Sequence, residues 1–288
     1  MAGAPSPLAG RLSRPPALIV PGAANALAAR VVEDLGFEAV YVTGAGIANT
    51  YLGVPDIGLV TLSELVGHVA AIRAAVTIPV IVDADTGYGG PLGVRRTVRE
   101  LERAGADALQ LEDQVEPKRC GHFEGARVVS VEDMVSKIRA AADARISPAL
   151  LLIARTDARS VEGFDAALER AGAYHRAGAD LIFIEALQSE AEIRSAAEVI
   201  DAPLVLNLVH GGKTPWISRD RLPDGYRILL FANVALQGSL LGMQAALGAL
   251  AAGHWPADMS GVLASFEERQ RIVRKSLYDD LESRYRSQ

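Results

Sequence analysis

"AGADLIFIEA", residues 177–186, is the stretch on which the fold turns. A helical run ends at Ala177, and Gly178 follows, where a left-handed helix cap is cheap. A small polar step leads into four apolar residues and then Glu185. The same plan occurs in "LGFEAVYVTG" (35–44) and "AGADALQLED" (104–113). Strands that are short and apolar on both faces belong to a parallel sheet covered by helices.

Working outward, eight such strands are expected at about 17–20, 39–42, 80–83, 108–112, 150–154, 181–185, 204–207 and 228–231. Helical segments separate most of them, at 23–35, 64–75, 92–104, 131–143, 162–177 and 190–198. Eight β/α units in 288 residues predict an α/β fold, a (β/α)8 TIM barrel. An open doubly wound sheet ranks second, because "PGAAN" stands where the first strand of a dinucleotide fold would carry its glycine fingerprint. Residues 1–14 read as a flexible N-terminal arm, and 15–288 as one barrel domain with a C-terminal helical tail.

Composition narrows the function. The formal net charge of −6 gives no electrostatic case for nucleic acid. A single cysteine makes no internal disulfide, and the first residues contain no apolar run of signal-peptide length, so a cytoplasmic protein is expected. Residues 229–253 carry no charge and tempt a membrane reading, but Asn233, Gln237, Ser239 and Gln244 interrupt them. A buried strand followed by a buried helix is expected there, with a subunit contact as one place for the helix. In the tail, Phe266, Val273, Leu277 and Leu281 suggest one helix, packed on its own barrel or on a neighbour.

A barrel of this kind works at the C-terminal ends of its strands. There the sequence places Tyr41 and Thr43, then Gly44 and Ala45; Asp83 and Asp85; Glu112 and Asp113; Arg155 and Asp157; Glu185; and Asn207. Asp83, Asp85 and Glu112 are hard oxygen donors with room for water, which suits Mg²⁺, with Mn²⁺ as the other candidate; zinc would want more imidazole or thiolate. Arg155 needs a carboxylate, from Glu185, Asp157 or, as the convergence of acids favours, a substrate. After strand 4, "EPKRCGHFEG" sets Cys120 among Lys118, Arg119 and His122, cations that lower a thiol pKa, with Gly121 and Gly125 as bending points. His210 follows strand 7 and is expected at the same mouth.

"DADTGYG", "LQLEDQVEPKRCGHFEG", "YVTGAGIANTYLGVPD", "IARTDA" and "NLVHGGKTP" together resemble the isocitrate lyase / phosphoenolpyruvate mutase superfamily. The cysteine-bearing loop resembles its carbon–carbon lyase branch, typified by 2-methylisocitrate and 2,3-dimethylmalate lyases. The resemblance implies a Mg²⁺ barrel, commonly a homotetramer whose C-terminal helices swap between paired subunits. It implies that Asp83 and Asp85 hold the metal with Glu112 behind them and Asp56 nearby. It implies that Tyr41, Thr43, Gly44 and Ala45 bind a 2-oxo-acid part, that Arg155, Glu185 and Asn207 hold carboxylate ends, and that Lys118, Cys120, Gly121 and His122 form a mobile loop. The implied reaction cleaves a 2-hydroxy di- or tricarboxylate to pyruvate or glyoxylate and a carboxylate, Cys120 acting as acid and Tyr41 being one candidate base. Three positions depart from the lyase pattern: Thr43-Gly44-Ala45 replaces "SGG", His210 replaces a glutamate, and Gln237 falls where tricarboxylate lyases place an arginine. Losing that arginine removes a bidentate clamp and favours an alkyl-substituted malate. An oxaloacetate hydrolase or decarboxylase, and a non-catalytic barrel that binds a 2-oxo acid, are the alternatives; a small carboxylate is the expected partner, with neither nucleic acid nor membrane.

Overall fold

The structure, a computed structural model, describes residues 7–118, 125 and 127–286. Eight strands close into one all-parallel barrel in sequence order, β8 pairing back onto β1. They are β1 (Leu18–Ala23), β2 (Val40–Val42), β3 (Val80–Asp83), β4 (Ala108–Glu112), β5 (Leu151–Thr156), β6 (Leu181–Ile184), β7 (Leu204–Asn207) and β8 (Tyr226–Phe231). All eight expected strands are present: β3, β4 and β7 keep their expected bounds, and the others differ by one to three residues at an end. The repeat glycines Gly36, Gly105 and Gly178 take the left-handed φ of 82°, 102° and 114° that ends each preceding helix.

A helix, α1 (Pro7–Leu12), precedes the barrel. The flexible arm expected over 1–14 is therefore corrected for this part: Leu8 and Leu12 are buried in the cluster that fills the barrel interior. The main outer helices are α2 (Ala26–Asp34), α3 (Leu62–Ala75), α4 (Pro91–Arg103), α5 (Val131–Ala144), α6 (Phe164–Arg176) and α7 (Glu190–Val199). Their starts are capped by local chemistry. Thr61 and Glu64 form a reciprocal capping box, Asn25, Ser130 and Ser189 accept helix N–H groups, and Pro91 opens α4.

Strand periodicity of two sorts the core into two layers. Val40, Val42, Val80, Val82, Leu109, Leu111, Ile182 and Ile184 pack outward against helices. Tyr41, Ile81, Ala108, Ile153, Phe183, Val205 and Leu230 fill the barrel.

After β8 the chain departs from expectation. Helix α8 (Val234–Ala251) is apolar all round, yet among the described residues none of it is buried. Leu241 and Leu247 are 69% and 65% exposed. Its own barrel does not cover it, so the expected burial would have to come from a subunit contact. By length and composition it could cross a membrane. The tail forms two helices rather than one, α9 (Phe266–Ile272) and α10 (Lys275–Arg286), separated by Arg274 at φ 56°. Arg271 pairs with Asp34, and Arg274 with Glu33, on the end of α2.

Candidate active site

The inward rows of the barrel turn polar as they reach the strands' C-terminal ends. Ile81 is followed two residues on by Asp83, Ala108 by Gln110 and Glu112, Ile153 by Arg155, Phe183 by Glu185, and Val205 by Asn207. One alternation thus builds both the plug and the site. A single cavity is lined by Tyr41, Thr43, Ala45, Asp56, Asp83, Glu112, Lys118, Arg155, Glu185 and Asn207. Its free space is about 40 Å³, room for a few waters. Phe183, Val209, Leu230 and Ala232 form an apolar wall, beside Asn233.

The acids lie beside the turn after β2. Asp83 Oδ1 accepts from the Asp85 backbone N–H and from Gln110 Nε2, each at 3.2 Å. A side chain at Gly44 would lie 3.3 Å from both Asp83 Oδ2 and Asp85 Oδ1, so glycine leaves the space between these carboxylates open. Lys118 is 5% exposed and reaches into this group, 2.8 Å from Asp85 and in contact with Asp56. Burial pushes the Asp85 carboxyl up and Lys118 pulls it down; the balance is about 7. Burial alone would favour a neutral lysine, but Asp85, Glu112, Asp56 and Asp83 outweigh it and hold Lys118 protonated.

Arg155 stands opposite. Its Nε and Nη2 grip Asp157 at 2.9 and 2.8 Å, Nη1 lies 3.3 Å from Glu112, and Nη2 lies 3.5 Å from Glu185. The guanidinium also sits 5.4 Å from the centre of the Phe183 ring. The expectation that Arg155 awaits a substrate carboxylate is corrected in part, because Asp157 already fills its fork. Asp157 is held in turn by Gln114 Nε2 at 3.1 Å, and its backbone N–H donates to Asp113. Asp113 also accepts from Thr156 and Tyr174, at 2.7 and 2.8 Å. Burial drives the Glu112 carboxyl well above the usual range against the pull of Arg155. Among the described residues its buried Oε1 has no hydrogen-bond partner, and neither has Asn207 Oδ1. Burial, followed by the charge of Asp83, also raises the Tyr41 phenol well above its ordinary value.

Asp83, Asp85 and Glu112 do not close into a three-ligand cage; among the described residues no three acid, imidazole or thiolate groups do. Glu112 lies 3.3 Å from the Arg155 guanidinium. The donor set nevertheless fits a hard divalent ion. Among the described residues Lys118 pairs with Asp56 and Asp85, and Arg155 with Glu112, Asp157 and Glu185, so these carboxylates outnumber the cations that pair with them. Glu112 Oε1 lacks a partner among the described residues, and the Gly44 cradle is open. A Mg²⁺-type ion needs few carboxylates and keeps its waters.

Two expected residues are not brought in. His210 is exposed, because the inward row of β7 continues through Asn207 to Val209 and leaves His210 on the other parity. Gln237, in the first turn of α8, is exposed and donates to the His210 carbonyl at 3.4 Å. Cys120, Gly121 and His122 lie outside the described residues. Sequence reasoning passed over Gln110 and Asn233. The step of two back from Glu112 pointed to Gln110, whereas nothing local marked Asn233.

A closed eight-stranded barrel with acids, lysine and arginine at the C-terminal mouth defines a carboxylate-handling (β/α)8 protein. The chain belongs to the phosphoenolpyruvate phosphomutase family, whose model matches residues 9–237, within the PEP mutase/isocitrate lyase superfamily. It is 42% identical over 275 residues, 95% of each chain, to 2,3-dimethylmalate lyase of Eubacterium barkeri. It is 51% identical over 224 residues, 77% of this chain and 72% of the relative, to 2-methylisocitrate lyase of Aeropyrum pernix. The crystal structure of a 2,3-dimethylmalate lyase superposes with a TM-score of 0.86 at 35% identity, covering 94% of this chain and 92% of that one.

Proposed function

We propose that this chain is a carbon–carbon bond lyase that cleaves a 2-hydroxy dicarboxylate of the alkyl-substituted malate type into a 2-oxo acid and a carboxylate, using Mg²⁺ or Mn²⁺. The observation that carries this reading is one cavity holding an open aspartate pair on one side and a carboxylate-braced arginine on the other. Asp83 and Asp85 would hold the ion directly or through water, with Glu112 behind them. When bound, the ion acts as a Lewis acid toward the 2-hydroxyl and its neighbouring carboxylate.

In the reaction the bond between C2 and C3 breaks, C2 becomes a carbonyl, and the hydroxyl proton passes to a carboxylate of the Asp83, Asp85 and Glu112 group. The electron pair passes to C3 and is delocalised onto its carboxylate. Arg155 and Lys118 supply positive charge for that carboxylate before the charge develops. Cys120 protonates C3 as the general acid, a role that rests on its sequence setting among cations. A dicarboxylate needs more space than the cavity offers, so Lys118 withdraws from the acids to admit it. The apolar wall of Phe183, Val209, Leu230 and Ala232 suits an alkyl branch and offers no second guanidinium for a third carboxylate.

The first residues of α8, Val234, Ala235 and Leu236, line an apolar groove together with Leu27, Val31, Leu35, Trp216 and Phe231. In this reading each α8 is covered by a second copy of the chain, within a soluble homotetramer.

The test is to incubate the protein with Mg²⁺ or Mn²⁺ and a panel of substituted malates, citrates and oxaloacetate, and to assay 2-oxo acid release. Release from an alkylmalate is expected. Production of acetate and oxalate from oxaloacetate alone points to a hydrolase, and no turnover of any member to a binding protein.

A further inference from the structure

We infer that Gln110 is a positioning residue that commits the hydroxyl proton of Tyr41, so that Tyr41 meets a ligand only as an acceptor and selects the 2-hydroxyl of the substrate. The inference rests on the reading of this cavity as a 2-hydroxy-acid site. Gln110 is 1% exposed and absent from the cavity lining, so it acts through its neighbours. Its amide spans two of them, Nε2 donating to Asp83 Oδ1 at 3.2 Å and Oε1 lying 3.0 Å from the Tyr41 hydroxyl.

The amide orientation follows from the network. Reversed, it would set its carbonyl oxygen against a carboxylate oxygen at 3.2 Å, two acceptors without a proton between them. In the orientation that remains, Gln110 Oε1 faces Tyr41, and a carbonyl oxygen only accepts. The phenol must therefore donate to it. Tyr41 lines the cavity, and what it has left for a ligand is a lone pair. A ligand oxygen at Tyr41 must bring its own hydrogen. A 2-hydroxyl does so; a 2-oxo group does not. Tyr41 is then no proton-accepting base, since its proton stays on the Gln110 side. The same bias disfavours the 2-oxo product at this position and assists its release.

The experiment measures dissociation constants for lactate and pyruvate by calorimetry in Mg²⁺, for the wild type, Tyr41→Phe, Gln110→Leu and the double variant. The two probes differ by the hydrogen at issue and are not cleaved. The wild type should prefer lactate by about three- to tenfold, the worth of one net hydrogen bond. Tyr41→Phe should abolish the preference. Gln110→Leu should abolish it too, because the freed hydroxyl can turn its proton to the cavity. The double variant should match Tyr41→Phe alone. A wild-type preference surviving in Gln110→Leu, or in Tyr41→Phe, overturns the inference, as does a wild type without preference. Gln110→Met replaces the leucine variant if that one does not fold; if neither folds, the Tyr41→Phe ratio decides. Failure of the lyase reading shows separately, as absence of 2-oxo acid release while the binding ratio is still read.

Discussion

Arg155 shows how much a single side chain depends on those behind it. Its buried charge is compensated by Asp157, which takes its fork and is fixed by Asp113 and Gln114, and by Glu112 and Glu185 nearby. A lysine keeps the charge but loses the paired bonds. Arg155→Lys should lower kcat/KM by roughly 30- to 1,000-fold, corresponding to about 2–4 kcal/mol of charge-assisted bonding, with an unchanged circular dichroism spectrum. Wild-type kinetics in that variant would remove Arg155 from the site. Cys120→Ser should leave Mn²⁺ affinity intact while cutting turnover severely. Equal losses of both would mean a structural defect instead of a missing acid.

At the scale of elements, the seam between β1 and β8 leaves no slack. A Cβ on Gly22 would stand 1.9 Å from the backbone oxygen of Ala232, and backbone cannot yield as a side-chain tip can. Gly22→Ala should destabilise the fold by about 1–3 kcal/mol in urea denaturation, the range of overpacked cores. The tail contact responds to pH. Burial pushes the Glu33 carboxyl up, but bonds from Thr77 and Ile78 and the charge of Arg274 outweigh it and hold it below its ordinary value. A lowered carboxylate pKa stabilises the fold above the unfolded value near 4.5, and that stability is lost as pH falls through the folded value. Hydrogen exchange in α9, taken relative to the intrinsic rate at each pH, should therefore quicken as the pH falls below 4.5. Arg274→Ala should show the quickened exchange already at neutral pH; identical exchange in both proteins at both pH values would exclude the contact from docking the tail.

The whole molecule carries more apolar surface than a lone chain should. Leu240, Leu241, Met243, Leu247 and Leu250 of α8 are all exposed, and a groove of about 840 Å³ runs beside β1 and α2. Light scattering on the wild type should give a mass well above 30.4 kDa. Leu241→Glu with Leu247→Glu should shift it toward the monomer, since burying two carboxylates in an apolar contact costs several kcal/mol. A monomeric wild type would refute subunit exchange of α8.

By itself the sequence determined the eight-stranded barrel, its order, and most of the lining of its mouth. The reason is local: strand periodicity, glycine caps and helix starts are written within about ten residues, and inward-facing rows extend in steps of two. Asp83, Glu112, Arg155, Glu185 and Asn207 were legible as the ends of those rows. Only tertiary structure decided who meets whom. It gave Arg155 to Asp157, set Lys118 between Asp56 and Asp85, placed Glu112 beside Arg155, turned His210 and Gln237 outward, and left α8 uncovered. Those outcomes depend on distances between residues far apart in the chain and on competition for a limited number of charges, neither of which any local pattern records.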